Sequence, residues 1–152
     1  MDVDEFIENE RAFFEPIMRR FLNSSEEQKL KWRNETVHQR RERVSVEVSN
    51  FFNNTILYGP FSGVKLVDNN WWGSSDRASM IFGVYERNIL DEIIKSSKKD
   101  YFINFGAADG YYCVGLLKNS YYKNAIAFEI NTNGQNIIRD SFSYNSIYSN
   151  FN

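Results

Sequence analysis

The sequence predicts an α/β fold in which a helical extension precedes a partial parallel sheet. Two short apolar runs of high β-propensity, Tyr101–Phe105 and Ala125–Phe128, are each followed by a stretch with helical spacing. From Tyr101 to Asn145 this gives β-α-β-α within about 45 residues, the spacing of a right-handed parallel unit. Upstream, the first fifty or so residues carry helical spacing and much charge. We therefore divide the chain into a helical extension, 1–57, and a sheet-bearing domain, 58–152.

In the extension, Phe6, Phe13 or Phe14, Ile17 and Phe21 form one apolar stripe, with Pro16 predicting a kink or restart. Asn23-Ser24-Ser25 breaks that helix, and Ser24 followed by Glu27 has the capping-box pattern that opens a second. Leu30, Val37 and Val44 lie a heptad apart along it among charged positions. Val44, Val46 and Val48 alternate like a strand, whereas Val44, Val48, Phe51 and Phe52 fit a continuing helix. Helix is preferred, because no turn signal precedes Asn53-Asn54.

The stretch from Thr55 to Val84 is irregular. Gly59-Pro60 and Gly63 mark turns, and Val64 to Val67 reads as a short strand closed by Asp68-Asn69-Asn70. The loop beginning Trp71-Trp72 offers two large aromatics either as a lid or, the preferred reading, as an anchor for the N-terminal helices. Within it, Asp76 and Arg77 are expected to pair with each other. A helix follows from about Glu86 to Ser97, with Ile89, Leu90, Ile93 and Ile94 inward and Lys95, Lys98 and Lys99 at its cation-favouring end.

The turn Gly106-Ala107-Ala108-Asp109-Gly110 between the first strand and its helix is where chemistry is expected. Small residues let backbone approach a ligand, and a helix N-terminus offers N–H groups. An acid at the end of the next strand can accept hydrogen bonds from ribose hydroxyls, and Glu129 lies 19 residues after Gly110. A dinucleotide fingerprint starting at Gly106 would need glycine at 108 and 111, where Ala108 and Tyr111 stand. The bulk of Tyr111 disfavours a pyrophosphate cradle. Asp109 reads equally as ligand contact or helix cap. Tyr111 and Tyr112 read as ligand-flanking or core, and Glu86 as a contact to a ligand amino group or a partner of the helix dipole.

Composition narrows the function classes. The chain of 152 residues is 42% hydrophobic and 16% aromatic, enough for one domain with a core. Its 20 acidic and 18 basic side chains nearly cancel and leave no basic face for nucleic acid. A single cysteine, Cys113, excludes an internal disulfide and reads as a small buried residue. His38, the one histidine, reads as solvent-facing, and no His/Cys metal cluster is expected. The acidic start lacks signal-peptide character, and no apolar run approaches the ~20 residues that cross a bilayer. A cytoplasmic protein without membrane or nucleic-acid partners is expected.

The observed turn pattern, G-x-A-x-G, resembles motif I of class I S-adenosylmethionine-dependent methyltransferases. Phe105-Gly106-Ala107-Ala108-Asp109-Gly110-Tyr111-Tyr112, then Ala127-Phe128-Glu129, is similar to the FkbM-like members, as is Phe82-Gly83-Val84-Tyr85-Glu86 ahead of them. The resemblance covers about Trp71 to Asn145 and implies a partial Rossmann-like sheet, S-adenosylmethionine as cofactor, and methyl transfer to an oxygen of a small molecule or sugar. It also implies that Gly106, Ala108 and Gly110 line the cofactor turn, with Ala107, Asp109, Tyr111 and Glu86 near it, and that Glu129 holds the ribose diol. Asn104 stands where such proteins usually carry an acid, so it cannot supply charge to a ligand ammonium. The resemblance implies further strands beyond Asn152, so the acceptor pocket and catalytic base are not expected among these residues. The alternative is a non-catalytic remnant, or a subunit of a split enzyme that binds the cofactor or a partner chain. Either way the unpaired edge of the Tyr101–Phe105 strand predicts a homo-oligomer or a second chain that completes the sheet.

Overall fold

The computed structural model describes residues 8, 11, 15, 16, 18–68, 73–96 and 100–148. They form two compact units, 1–40 and 41–152, so residues 41–57 belong with the sheet and not with the extension. The apolar stripe expected at Phe6, Phe13, Phe14 and Ile17 lies outside the described residues, as do Trp71, Trp72, Lys98 and Lys99.

In the first unit, residues 18–22 are helical and α1 spans Glu26–Asn34. Its cap is Ser25, whose hydroxyl accepts the Gln28 N–H, while Ser24 instead donates to the Arg20 carbonyl. The expected cap is thus displaced by one residue. α1 buries none of its residues; its aromatic contact is Phe21 stacked on Trp32 at 6.2 Å, with Arg20 over the Trp32 ring. The single long helix read from the sequence is in fact two. Glu35 is extended, and Thr36 opens α2, Val37–Phe51, with a reciprocal capping box. The Thr36 hydroxyl accepts the Gln39 N–H, and the Gln39 side chain accepts the Thr36 N–H. The region around Val44–Val48 is helical, as preferred.

In the second unit, α2 presents buried Ser45 and Ser49 and half-buried Val48 and Phe52 to the core. The expected strand at Val64–Val67 is a single antiparallel bridge between Thr55 and Lys65. A side chain takes the other neighbour's place: the Asn145 amide accepts the Lys65 N–H and donates to the Lys65 carbonyl, both at 2.8 Å. Short α3, Arg77–Ile81, then leads to α4, Arg87–Lys95, which buries Leu90 and half-buries Ile93 and Ile94; Ile89 faces outward, against expectation.

β1, Tyr101–Phe105, and β2, Asn124–Phe128, pair in parallel from Tyr101 opposite Asn124 to Phe105 opposite Phe128. α5, Tyr111–Lys118, joins them and α6, Thr132–Tyr144, follows, its N-cap Asn131 accepting the N–H groups of Asn133 and Gly134. One sheet face packs on the helices through Phe102, Ala125 and Ala127. The other is open: Ile103 is 52% and Phe105 77% exposed, with the Phe105 and Phe128 rings stacked at 4.7 Å. The fold is therefore mixed helix and strand with a two-stranded parallel sheet. Among the described residues no helix is long and apolar enough to cross a membrane.

Packing of α5 against the Phe61 loop depends on Gly115, since a Cβ there would overlap the Phe61 ring. Gly115→Ala is expected to destabilise by about 1–3 kcal/mol despite the better helix propensity of alanine. A chemical-denaturation midpoint at or above that of the parent chain would show that the ring gives way freely.

Candidate functional site

Backbone conformation shapes the turn after β1. Gly106 and Gly110 have φ of 75° and 80°, and Ala108 adopts φ 52°, a left-handed conformation that costs an alanine about 1 kcal/mol. That cost is offset by hydrogen bonds. The Gly106 and Ala107 N–H groups both donate to the Phe128 carbonyl, at 2.8 and 3.0 Å, carrying the ladder into the turn. Ala108 donates to Glu129 Oε2 at 2.8 Å, Gly110 to the Ala107 carbonyl at 2.7 Å, and Tyr111 to Asp109 Oδ1 at 3.1 Å. Glu129 also accepts the Asn131 N–H through Oε1, so one carboxylate fastens the turn to the start of α6. Glycine at 110 serves packing as well, since a Cβ there would meet Ile138 at 3.3 Å.

The helix N-terminus was expected to offer unpaired N–H groups to a ligand. Those named here, at Gly106, Ala107, Ala108, Gly110 and Tyr111, all have partners within the chain. An anion cradle of the pyrophosphate kind would need several of these donors free. Asp109 accepts the Tyr111 N–H two residues on, while the N-cap position of α5 is Gly110, which has no side-chain cap.

Beside the turn lies a cavity of about 220 Å³ lined by Glu86, Asn104, Gly106, Ala107, Ala108, Asp109 and Tyr111, together with Met80, Tyr85 and Tyr112. Eight residues named from the sequence, Tyr112 included, thus share one cavity, whereas Gly110 and Glu129 do not line it. Met80 and Tyr85 were missed. Tyr85 had a signal, being adjacent to Glu86 in the element ahead of β1, but a tyrosine there reads equally as core. The cavity is smaller than the ~300–1,000 Å³ that encloses a whole drug-sized ligand, so it has room for only part of one.

Among the described residues its lining carries acids and phenols and no basic side chain. Tyr112 donates its hydroxyl to Glu86. Burial pushes the Tyr85 phenol up to about 12, with Glu86, Asp76 and Asp109 adding to the effect. Burial also pushes Tyr111 and Tyr112 above the ordinary phenol value, the first aided by Tyr85, Asp109 and Glu86, the second by its bond to Glu86. All three phenols are therefore neutral donors at physiological pH. Tyr111 is 5% exposed, and its buried hydroxyl has no hydrogen-bond partner among the described residues, an arrangement that is uncommon for a buried polar group. Burial raises the Asp109 carboxyl, partly opposed by the Tyr111 N–H and by Arg77.

Arg77 does not pair with Asp76, contrary to expectation. Asp76 binds Arg41 of α2, while the buried Arg77 guanidinium donates to Ser49, Asn54 and the Val67 carbonyl. The adjacent pair was a natural reading of the sequence, but α3 turns the two side chains to different neighbours. Cys113 is fully buried with its thiol pushed up to about 11, chiefly by burial, consistent with a packing role. His38 is exposed, as expected. No cluster of metal-ligating side chains occurs among the described residues. No protein-family model, curated protein or solved structure matches the chain.

Two outcomes test this geometry. Tyr111→Phe removes an unsatisfied buried hydroxyl and is expected to raise the stability of the ligand-free chain by about 1 kcal/mol; a lower melting temperature would mean that the hydroxyl has a partner. For Asp109, a carboxyl raised in the folded state contributes stability below its unfolded value of about 3.9 and loses it as pH rises through the folded value. Asp109→Asn keeps an acceptor for Tyr111, so it is expected to stabilise near neutral pH, with the gain vanishing towards about pH 4. A gain that is constant with pH in thermal melts would remove desolvation as the cause.

Proposed function

We propose that this chain carries the cofactor-binding part of an S-adenosylmethionine-dependent methyltransferase that methylates an oxygen of a small molecule or sugar. The observation that carries the reading is the pairing of a parallel β1-turn-α5-β2 unit with Glu129. The acid at the end of β2 is bonded to the turn at Ala108, next to a cavity with no basic side chain among its described lining residues. A cofactor without phosphate fits these residues, because the N–H groups of Gly106, Ala107, Ala108 and Gly110 are already bonded within the chain. When bound, the cofactor would supply a methyl group on a cationic sulfur, open to displacement by an acceptor oxygen. The chain's part would be to align the donor, which is where much of the rate of such a displacement arises. Glu129 would hold the ribose, while Gly106, Ala107, Ala108 and Asn104 would form the wall and Glu86, Tyr111 and Tyr112 the polar contacts.

A second reading has support in the open sheet face. Parallel sheets are normally covered on both faces, yet Ile103, Phe105 and Phe128 are exposed, and among the described residues β1 and β2 pair only with each other. On that reading the chain is a non-catalytic remnant or a subunit that binds cofactor or partner, its sheet completed by a second copy or another polypeptide.

S-adenosylhomocysteine is expected to raise the melting temperature, and nicotinamide dinucleotides are not; stabilisation by the dinucleotide alone would refute the reading. Glu129→Gln is expected to weaken binding by about 1–3 kcal/mol in calorimetric titration, the range for hydrogen bonds to a charged group. For the open face, sedimentation equilibrium at micromolar concentration is expected to find self-association or aggregation. A single species near 17.9 kDa that melts cooperatively would refute it.

A further inference from the structure

We propose that the cavity beside the glycine turn selects for positive charge, so that it holds the sulfonium methyl donor more tightly than the neutral thioether left after methyl transfer. This inference rests on the cofactor reading above and adds to it a preference between substrate and product. Three tyrosines line the cavity, and their rings form a connected group: Tyr111 meets Tyr85 at 5.5 Å and Tyr112 at 5.6 Å, edge to face in both cases. Aromatic faces attract cations, sulfonium and ammonium alike, and the attraction grows as water is excluded.

Charge on the lining points the same way. Glu86 and Asp109 both border the cavity, and among the described residues no lysine or arginine does. Arg77 donates to Ser49, Asn54 and the Val67 carbonyl while its charge partly balances Asp109, and Arg41 acts weakly on Tyr85. Glu86 is held in place twice. The Tyr112 hydroxyl donates to it, and its own backbone sits in the left-handed region at φ 45° as the N-cap of α4, a conformation that a glutamate adopts only at a cost. The high phenol values fit this picture, since Glu86 and Asp109 add to the effect of burial at Tyr111. A site of this kind would favour release of the product, whose sulfur carries no charge.

Calorimetric titration of the whole chain with three ligands tests this. S-adenosylmethionine carries the sulfonium, sinefungin carries an ammonium on carbon in its place, and S-adenosylhomocysteine is neutral there; all three share the adenosine and amino-acid groups. Both cations are expected to bind between about fivefold and thirtyfold more tightly than the neutral ligand, the span of cation–π attraction from exposed to desolvated sites. Glu86→Gln, at an exposed position, is expected to lower that ratio without abolishing it, since the tyrosine rings remain, while S-adenosylhomocysteine binding changes less than about twofold. If the variant instead weakens all three equally, Glu86 meets the shared amino group and the inference fails. Equal affinities in the parent chain overturn charge selection and leave the cofactor reading standing; binding of none of the three overturns both.

Discussion

Two parallel strands cannot be joined by a tight hairpin, so the pairing of β1 with β2 obliges the chain to leave the sheet, cross over and return. The Gly106–Gly110 turn is the point of departure, and it is stabilised by the strand to which the chain returns. Phe128, the last residue of β2, accepts two N–H groups from the turn, and Glu129 accepts a third. The position of α5, the wall of the cavity and the start of α6 all follow from that closure, because Glu129 binds Asn131 as well. A carboxylate that organises the turn in this way is already orientated before any ligand arrives.

The same closure explains what kind of ligand the turn suits. Phosphate-binding turns leave backbone N–H groups pointing outward, where they meet negative charge. Here the donors at 106–108, 110 and 111 face inward to carbonyl and carboxylate oxygens, and the cavity beside them is bordered by acids and phenols. Negative lining and occupied donors together disfavour an anion. The polarity of the site thus comes from main-chain geometry as much as from side-chain identity.

A buried polar network sustains the loop region on the other flank. Arg77 gathers Ser49 from α2, Asn54 and the Val67 carbonyl, and Asn54 in turn donates to Asp68. Burial of the guanidinium pulls its pKa down, with Asp109 and Asp68 opposing, so its charge is tolerated through partners rather than solvent. Asn145 plays a comparable part at Lys65, where one amide supplies both hydrogen bonds of a missing strand. Irregular chain between residues 53 and 68 is held in place by such side-chain substitutes for a sheet.

Local elements were legible wherever local chemistry decides them. β1, α5, β2 and α6 could be read from apolar period and small-residue punctuation, and the turn and its acid from spacing alone. The capping box at Thr36 and Gln39 was equally present in the sequence, yet the heptad of Leu30, Val37 and Val44 ran across it and concealed the break. Facing and partnership were not legible, because they depend on which segments meet. Asp76 and Arg77 are neighbours in sequence and go to different partners, Ile89 turns outward beside buried Leu90, and Val64–Val67 finds a side chain instead of a strand. Sequence by itself determined the order of strands and helices and the residues of the turn, since backbone preference and periodicity act over a few residues. Only the tertiary structure decided that the turn's donors are spent internally, that Glu86, Tyr85, Tyr111 and Tyr112 share one cavity, and that one sheet face is bare. Each of these is fixed by packing between segments far apart in the chain.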